Sequence, residues 1–219
     1  MYRSLEDDES VGLLESSEAP EVIDSRLKME YHFQEILSLL GEDVEREGLR
    51  ETPARVAKAW LEMTSGLNED PREHLKKVFT APHDDMVIVD NIPFNSICEH
   101  HFVPFLGVCH IGYIPGPVSE EDFSGPFRIV GLSKFPRLVQ GYALRPQVQE
   151  ILTDQIATAI DEILKPQGVI VVMRAAHMCM SLRGIKATGS QTRTSAVRGL
   201  FATNHDGVKT EFLSILGQV

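Results

Sequence analysis

Cysteine is scarce in this chain. Three cysteines among 219 residues, Cys98, Cys109 and Cys179, are too few and odd in number for a disulfide framework. That leaves metal binding, catalysis or plain packing. Long apolar runs are missing too, so nothing approaches the ~20 residues that span a bilayer. The N-terminus has neither the basic region nor the apolar segment of a secretory signal. A cytoplasmic protein with no membrane partner is expected. Basic surplus is the third absence: 21 Lys and Arg stand against 32 Asp and Glu, a net charge of −11. That is not the balance of a nucleic-acid binder, and no nucleic-acid partner is expected.

The negative charge is unevenly spread. Residues 1–25 hold Glu6, Asp7, Asp8, Glu9, Glu15, Glu18, Glu21 and Asp24 against Arg3 alone, so they carry −7 of the −11. This acidic, Ser-rich stretch lacks periodicity and reads as a flexible tail. The remaining chain is only mildly acidic. A small anionic substrate therefore remains compatible with it, given a local basic cluster.

After the tail, Met29, Phe33, Ile36, Leu37 and Leu40 recur at helical spacing until Gly41. Thr52-Pro53 reads as a cap followed by proline at the first helical position. Val56, Ala57, Trp60 and Leu61 give that second helix its apolar face, and Gly66 ends it. "NEDPREHLKKVF" predicts a short helix. Residues 26–84 thus form a helical N-terminal region. From Met86 the pattern changes, and residues 85–219 read as the main domain. "MVIVDNIPF", "VCHIGYIP" and "FRIVGL" are short, β-rich and bounded by Pro or Gly, as strands are. "GPVSEEDFSGPF" reads as a loop. Ser133 is placed to cap a short helix through Leu138 and Val139. Pro146 reads as the opening of the clearest helix, with Val148, Leu152, Ile156, Ala159, Ile160 and Ile163 on its buried stripe. "VIVVM" and "QTRTSAVRGLF" read as further strands, and "GVKTEFLSIL" as a final helix. Strands without helical crossovers point to an antiparallel sheet in an α+β fold.

Chemistry concentrates in "SICEHHFVPF" and "AAHMCMSLRG". Cys98 and His101 are separated by two residues, a spacing at which one turn supplies two ligands to one ion. His177 and Cys179 lie two apart. If the preceding strand continues, both side chains point to one face. Two thiolates and an imidazole from Cys98, Cys179 and His101 suit zinc, which prefers sulfur and nitrogen. Three ligands leave a fourth position for water, as in catalytic sites. With His177 as a fourth ligand the site closes into a structural one, and spacing alone leaves both open. His100 points away from its neighbour His101. Imidazoles outside the ligand set have the acid–base range that proton transfer needs. Cys109, on an alternating strand, reads as core.

Basic residues gather near these motifs. Lys134 and Arg137 lie at the start of the Ser133 helix, Arg183 closely follows Cys179, and Lys58 is on the second helix. Singly each is an ordinary surface charge; together they fit a phosphate pocket. Glu150 lies in the first turn of the long helix. There it either complements the helix dipole or accepts paired donors from a base.

Taken together, "CEHHFVPF", "HIGYIP", "GLSKFPRLVQ", "RPQVQE", "AAHMCMSLRG" and "TRTSAVRGLF", with "LRETPARVAKAW" upstream, closely resemble the GTP cyclohydrolase I family from Met29 to Leu216. The resemblance implies a tunnelling fold, an antiparallel sheet backed by helices. It implies sheets joined into five-membered barrels, two pentamers stacked as a homodecamer, and active sites at subunit interfaces. The implied reaction takes GTP and water to formate and 7,8-dihydroneopterin triphosphate. In it Cys98, His101 and Cys179 hold Zn2+, and water activated there attacks carbon 8 of the guanine. His177 protonates the neighbouring ring nitrogen, and His100 assists later proton transfers. Ser133 contacts the ribose or phosphates. Gln149 and Glu150 form the purine-recognition pair. Lys134, Arg137, Arg183 and Lys58 hold the triphosphate. The loop "GPVSEEDFSGPF" is longer than the family's usual turn, and "GIKATGSQTRTS" departs slightly in its first half.

Two other readings compete. A nitrile reductase of the same fold would use a cysteine nucleophile and a nicotinamide cofactor, but would not need paired His100-His101 or the His177/Cys179 pair. A non-catalytic zinc-stabilised assembly protein would keep the three ligands without needing Glu150, Ser133 and Arg183 together.

Overall fold

The computed structural model describes residues 20–119 and 122–217, so residues 1–19 of the expected tail lie outside the described residues. The chain divides into two compact units after Glu62. In the first, α1 (Pro20–Leu39) already takes in the last residues of the acidic stretch. It stops at Gly41, whose φ of +87° suits a residue without Cβ. Ile36 and Leu39 of α1, and Leu40 just after it, are exposed. The second helix, α2 (Thr52–Met63), begins at the Thr-Pro pair.

In the second unit, short 3-10 turns at Ser65–Asn68 and Pro71–Leu75 lead into β1 (Val78–Ala81) and β2 (Val87–Cys98). Then follow β3 (Pro104–Ile114), β4 (Pro117–Ser119), β5 (Asp122–Val130), α3 (Lys134–Ala143), β6 (Pro146–Gln147) and α4 (Gln149–Leu164). The chain closes with β7 (Gly168–His177), α5 (Met178–Ser181), β8 (Thr192–Gly199), α6 (Leu200–Thr203) and α7 (Val208–Ile215). A five-stranded sheet runs β6-β2-β3-β7-β8, antiparallel except for the short β2–β6 pairing. This is the expected α+β architecture, an antiparallel sheet backed by helices.

Two readings of the sequence are corrected. The stretch taken for a loop contains β4 and the start of β5, which join β1 in a separate three-stranded sheet. Its Gly, Pro and acids hide the strand pattern, and pairing with distant β1 supplies the order. The long helix starts at Gln149, not Pro146: Pro146 lies in β6 and Val148 has extended backbone. Proline lacks an N–H, so it fits this short edge strand.

Alternation decides the two faces of the sheet. On β7, Val169, Val171, Met173 and Ala175 join the core under α3 and α4. Ile170 and Val172 turn to the other face, with Phe201 and Phe212 of α6 and α7. Gly112 makes room there, since a Cβ would come within 2.6 Å of the Phe212 ring. Tyr113 and Phe135 are almost wholly buried, their rings 5.4 Å apart. Burial of each contributes roughly 1.5–3 kcal/mol.

One irregularity positions the chemistry. On β2, Val87 and Val89 pack towards the helices, but so do Ile92, Phe94 and Cys98. The parity changes because the register with β3 shifts between Val89 and Ile92, where Asn91 has a φ of +53°. This β-bulge adds one residue and turns every later side chain over. Without it Cys98 would face away from α4.

Candidate functional site

Three elements meet beside α4. The first is the turn after β2. Phe102 N–H donates to Cys98 O (2.8 Å) and Cys98 N–H donates to Val103 O (2.9 Å). Phe102 takes the left-handed conformation at φ +57°. This tight turn brings His101 Nδ1 to 3.9 Å from Cys98 Sγ. The second is the end of β7, where His177 pairs directly with Phe105 of β3. The third is the β6–α4 corner. Cys98 pairs with Gln147, and Glu99 N–H donates to Gln147 O (3.1 Å).

The reading of His177 and Cys179 as neighbours on one continuing strand is corrected. β7 ends at His177, and Cys179 lies in the helical turn α5. The turn still delivers the thiol: Cys98, His101 and Cys179 place their ligand atoms within 4.8 Å of one another. Metal bonds of about 2.0–2.3 Å to nitrogen and sulfur need donors gathered on this scale. Two thiols and one imidazole form a set that fits zinc. His177 is not in this group. Burial pushes the Cys179 thiol up, the adjacent Cys98 adds to this, and Arg183 works against it. A bound cation reverses that sense by stabilising thiolates.

A cavity of about 240 Å³ opens beside the three donors, lined also by His100, Gln149, Glu150 and His177. His177 is clamped twice. Its ring stacks on Phe105, centroids 4.6 Å apart and planes within 5°. Its Nε2 lies 2.7 Å from Gln149 Oε1. Burial lowers its pKa, with the Glu150 carboxylate opposing. Gln149 itself is 1% exposed, whereas Glu150, one residue on, is exposed at the cavity.

The sequence-predicted residues divide accordingly. Cys98, His100, His101, Gln149, Glu150, His177 and Cys179 come together. Arg183 is near enough to act on Cys179. Ser133, Lys134 and Arg137, at the start of α3, do not line the cavity. Ser133 sits at the cap position, but its hydroxyl makes no capping bond. Lys58 is exposed on α2 of the first unit. Sequence reasoning misses Phe105, Thr192, which lines the cavity, and Thr194, whose hydroxyl accepts from Gln149 Nε2 at 3.0 Å. Phe105 carries no local signal, because its stacking depends on cross-strand register. The alternating hydroxyls of "TRTS" were a legible sign of a polar stripe on one strand face.

A soft metal triangle open to a cavity, beside an imidazole outside the ligand set and an exposed carboxylate, is the equipment of a hydrolytic enzyme. Comparison with known proteins agrees. The family model for GTP cyclohydrolase I matches residues 29–217. GTP cyclohydrolase 1 of Carboxydothermus hydrogenoformans is 49% identical over 190 residues, covering 87% of this chain and 94% of that protein. Its counterpart in Pelotomaculum thermopropionicum is 51% identical, with 87% and 97% covered. The Corynebacterium aurimucosum protein is 53% identical, with 78% and 83% covered. The apo crystal structure of the archaeosine synthase QueF-Like shares 16% identity at a TM-score of 0.40, covering 52% of this chain and 93% of that one, a likeness too slight to carry an argument. The chain belongs to the GTP cyclohydrolase I family, and with it to the hydrolases.

Proposed function

We propose that this enzyme converts GTP and one net water into formate and 7,8-dihydroneopterin triphosphate in the cytoplasm. The observation that carries the reading is the Cys98–His101–Cys179 triangle opening on the same cavity as His177 and Glu150. Those three residues would hold Zn2+. When bound, the ion supplies Lewis acidity that activates water for hydrolysis.

The chain's own groups do the rest. Glu150 accepts hydrogen bonds from the N–H edge of guanine. Adenine would leave that carboxylate without its donors, which excludes ATP. His177 delivers a proton to the ring nitrogen beside carbon 8, so that the carbon–nitrogen bond breaks with a neutral leaving group. His100, exposed at the rim, assists proton transfers during ribose rearrangement and reclosure. Ser133, Lys134, Arg137, Arg183 and Lys58 hold the ribose and triphosphate.

A homodecamer of two pentamers fits this division of labour. Ser133, Lys134 and Arg137 stand outside the cavity of their own subunit, as a site completed by a neighbour requires. In the five-stranded sheet β8 is an edge, and β2 pairs with β6 only at Ile97 and Cys98. Such edges invite strand pairing between subunits.

Replacing His177 with alanine tests the roles. The variant should keep its metal and assembly while formate release falls by about 10²–10⁴-fold. Loss of the metal in that variant would contradict the assignment and favour a structural four-ligand site.

A further inference from the structure

We propose that Gln149 is a positioning residue for His177, not a reader of the purine: its buried amide fixes which ring nitrogen carries the hydrogen. The inference rests on His177 exchanging a proton with the substrate.

The hydrogen bonds around Gln149 run in one direction only. Thr153 Oγ1 lies 2.7 Å from Gln149 O, and a carbonyl oxygen has no hydrogen to give. The Thr153 hydrogen is therefore spent there. Thr194 Oγ1 lies 2.6 Å from Thr153 Oγ1, so Thr194 must be the donor of that pair. The Thr194 oxygen is then left as an acceptor. It faces Gln149 Nε2 at 3.0 Å. Two carbonyls, Thr192 O at 3.3 Å and Met173 O at 3.4 Å, face the same nitrogen. An amide turned the other way would set its oxygen against three acceptors. The NH2 group must therefore stay where it is, and Oε1 must face the His177 ring.

An amide oxygen only accepts. The His177 Nε2 at 2.7 Å must then carry the hydrogen, which leaves Nδ1 to take up the proton that the attacking water gives up and pass it to the bound ring. Stacking on Phe105 fixes the plane of the imidazole; Gln149 fixes its rotation within that plane. A side chain 1% exposed with its amide so engaged has nothing left to offer a purine. Base recognition passes to Glu150.

The test uses the zinc-loaded enzyme and two variants. Gln149→Met keeps the length without donor or acceptor, and Gln149→Glu, which fits as the neutral acid with its O–H donated towards Thr194, keeps the acceptor for His177. Two-bond 1H–15N spectra of histidine-labelled protein read the His177 tautomer without substrate. The wild type should show hydrogen on Nε2, and Gln149→Met should show a mixture. In that variant kcat should fall about 10–100-fold while KM for GTP stays within about twofold. Gln149→Glu should restore the tautomer and part of kcat. Hydrogen on Nδ1 in the wild type overturns the proposal, as does an unchanged spectrum in Gln149→Met. A raised KM with normal kcat in Gln149→Met would make Gln149 a purine reader after all. If the wild type releases no formate from GTP, the proposed reaction fails, while the spectrum still reports whether Gln149 holds the ring.

Discussion

Cys98 and Gln147 lie side by side in a two-residue parallel ladder. This pairing, remote in sequence, joins the metal-type turn to the start of α4. The corner is tied further by Ser96, whose hydroxyl donates to Arg145 O at 3.1 Å. Arg145 Nη2 in turn donates to Gly141 O (3.0 Å) and to Gly66 O. The geometry of the site thus depends on a residue outside its cavity.

Arg145→Ala should therefore cost stability as well as activity. It strands the Gly66 and Gly141 carbonyls, a loss of about 1.5–3 kcal/mol for bonds to a charged donor. Urea unfolding of the variant measures it. An unchanged midpoint would mean the corner is held by β6 alone.

His110 gives the fold a pH dependence away from the Cys98–His101–Cys179 cluster. It is 5% exposed, and Asn91 N–H donates to its Nδ1 at 3.2 Å. Burial lowers its pKa below the ordinary 6.5; Asp90 opposes this and Arg174 reinforces it. The unfolded chain then takes up the proton first, so its stabilising effect is full above about pH 6.5 and declines as pH falls towards the folded value. His110→Asn keeps an acceptor for Asn91 without titrating. Its stability, from urea midpoints, should fall less than the wild type's between about pH 7 and pH 5.5. Parallel curves would place the acid sensitivity elsewhere.

The three thiols should report on the metal. Cys109 is 0% exposed, and burial pushes its thiol far up, so alkylating reagents should reach it only after unfolding. Cys98 and Cys179 should be protected in the zinc-loaded enzyme and become reactive once a chelator removes the ion. Mass mapping of the alkylated cysteines checks this. Reaction of all three before unfolding would contradict the burial of Cys109.

Glu150→Ala should leave fold and zinc content intact while lowering kcat/KM for GTP on the order of 10²-fold or more. An unaltered kcat/KM would remove Glu150 from purine recognition.

Legibility in the sequence followed the range of the forces involved. α2 and the stripe of α4 announced themselves because proline and 3.6-residue periodicity are local signals. Two short spacings, Cys98 to His101 and His177 to Cys179, pointed to the donor cluster but left open whether His177 belongs to it. The start of α4 was misplaced because β6 exists only through its pairing with β2. The bulge at Asn91 left no pattern, although it decides which way Cys98 faces. The turn carrying Cys179 was too short to have a period, and the hold of Gln149 on His177 needs two strands and a helix in place at once.

The most direct test of the central claim is one incubation of purified enzyme with GTP, with and without a zinc chelator, following formate and the pterin chromophore. Both products should form, be lost on chelation and return when zinc is restored. Neither product, from protein that still holds zinc at Cys98, His101 and Cys179, would contradict that claim.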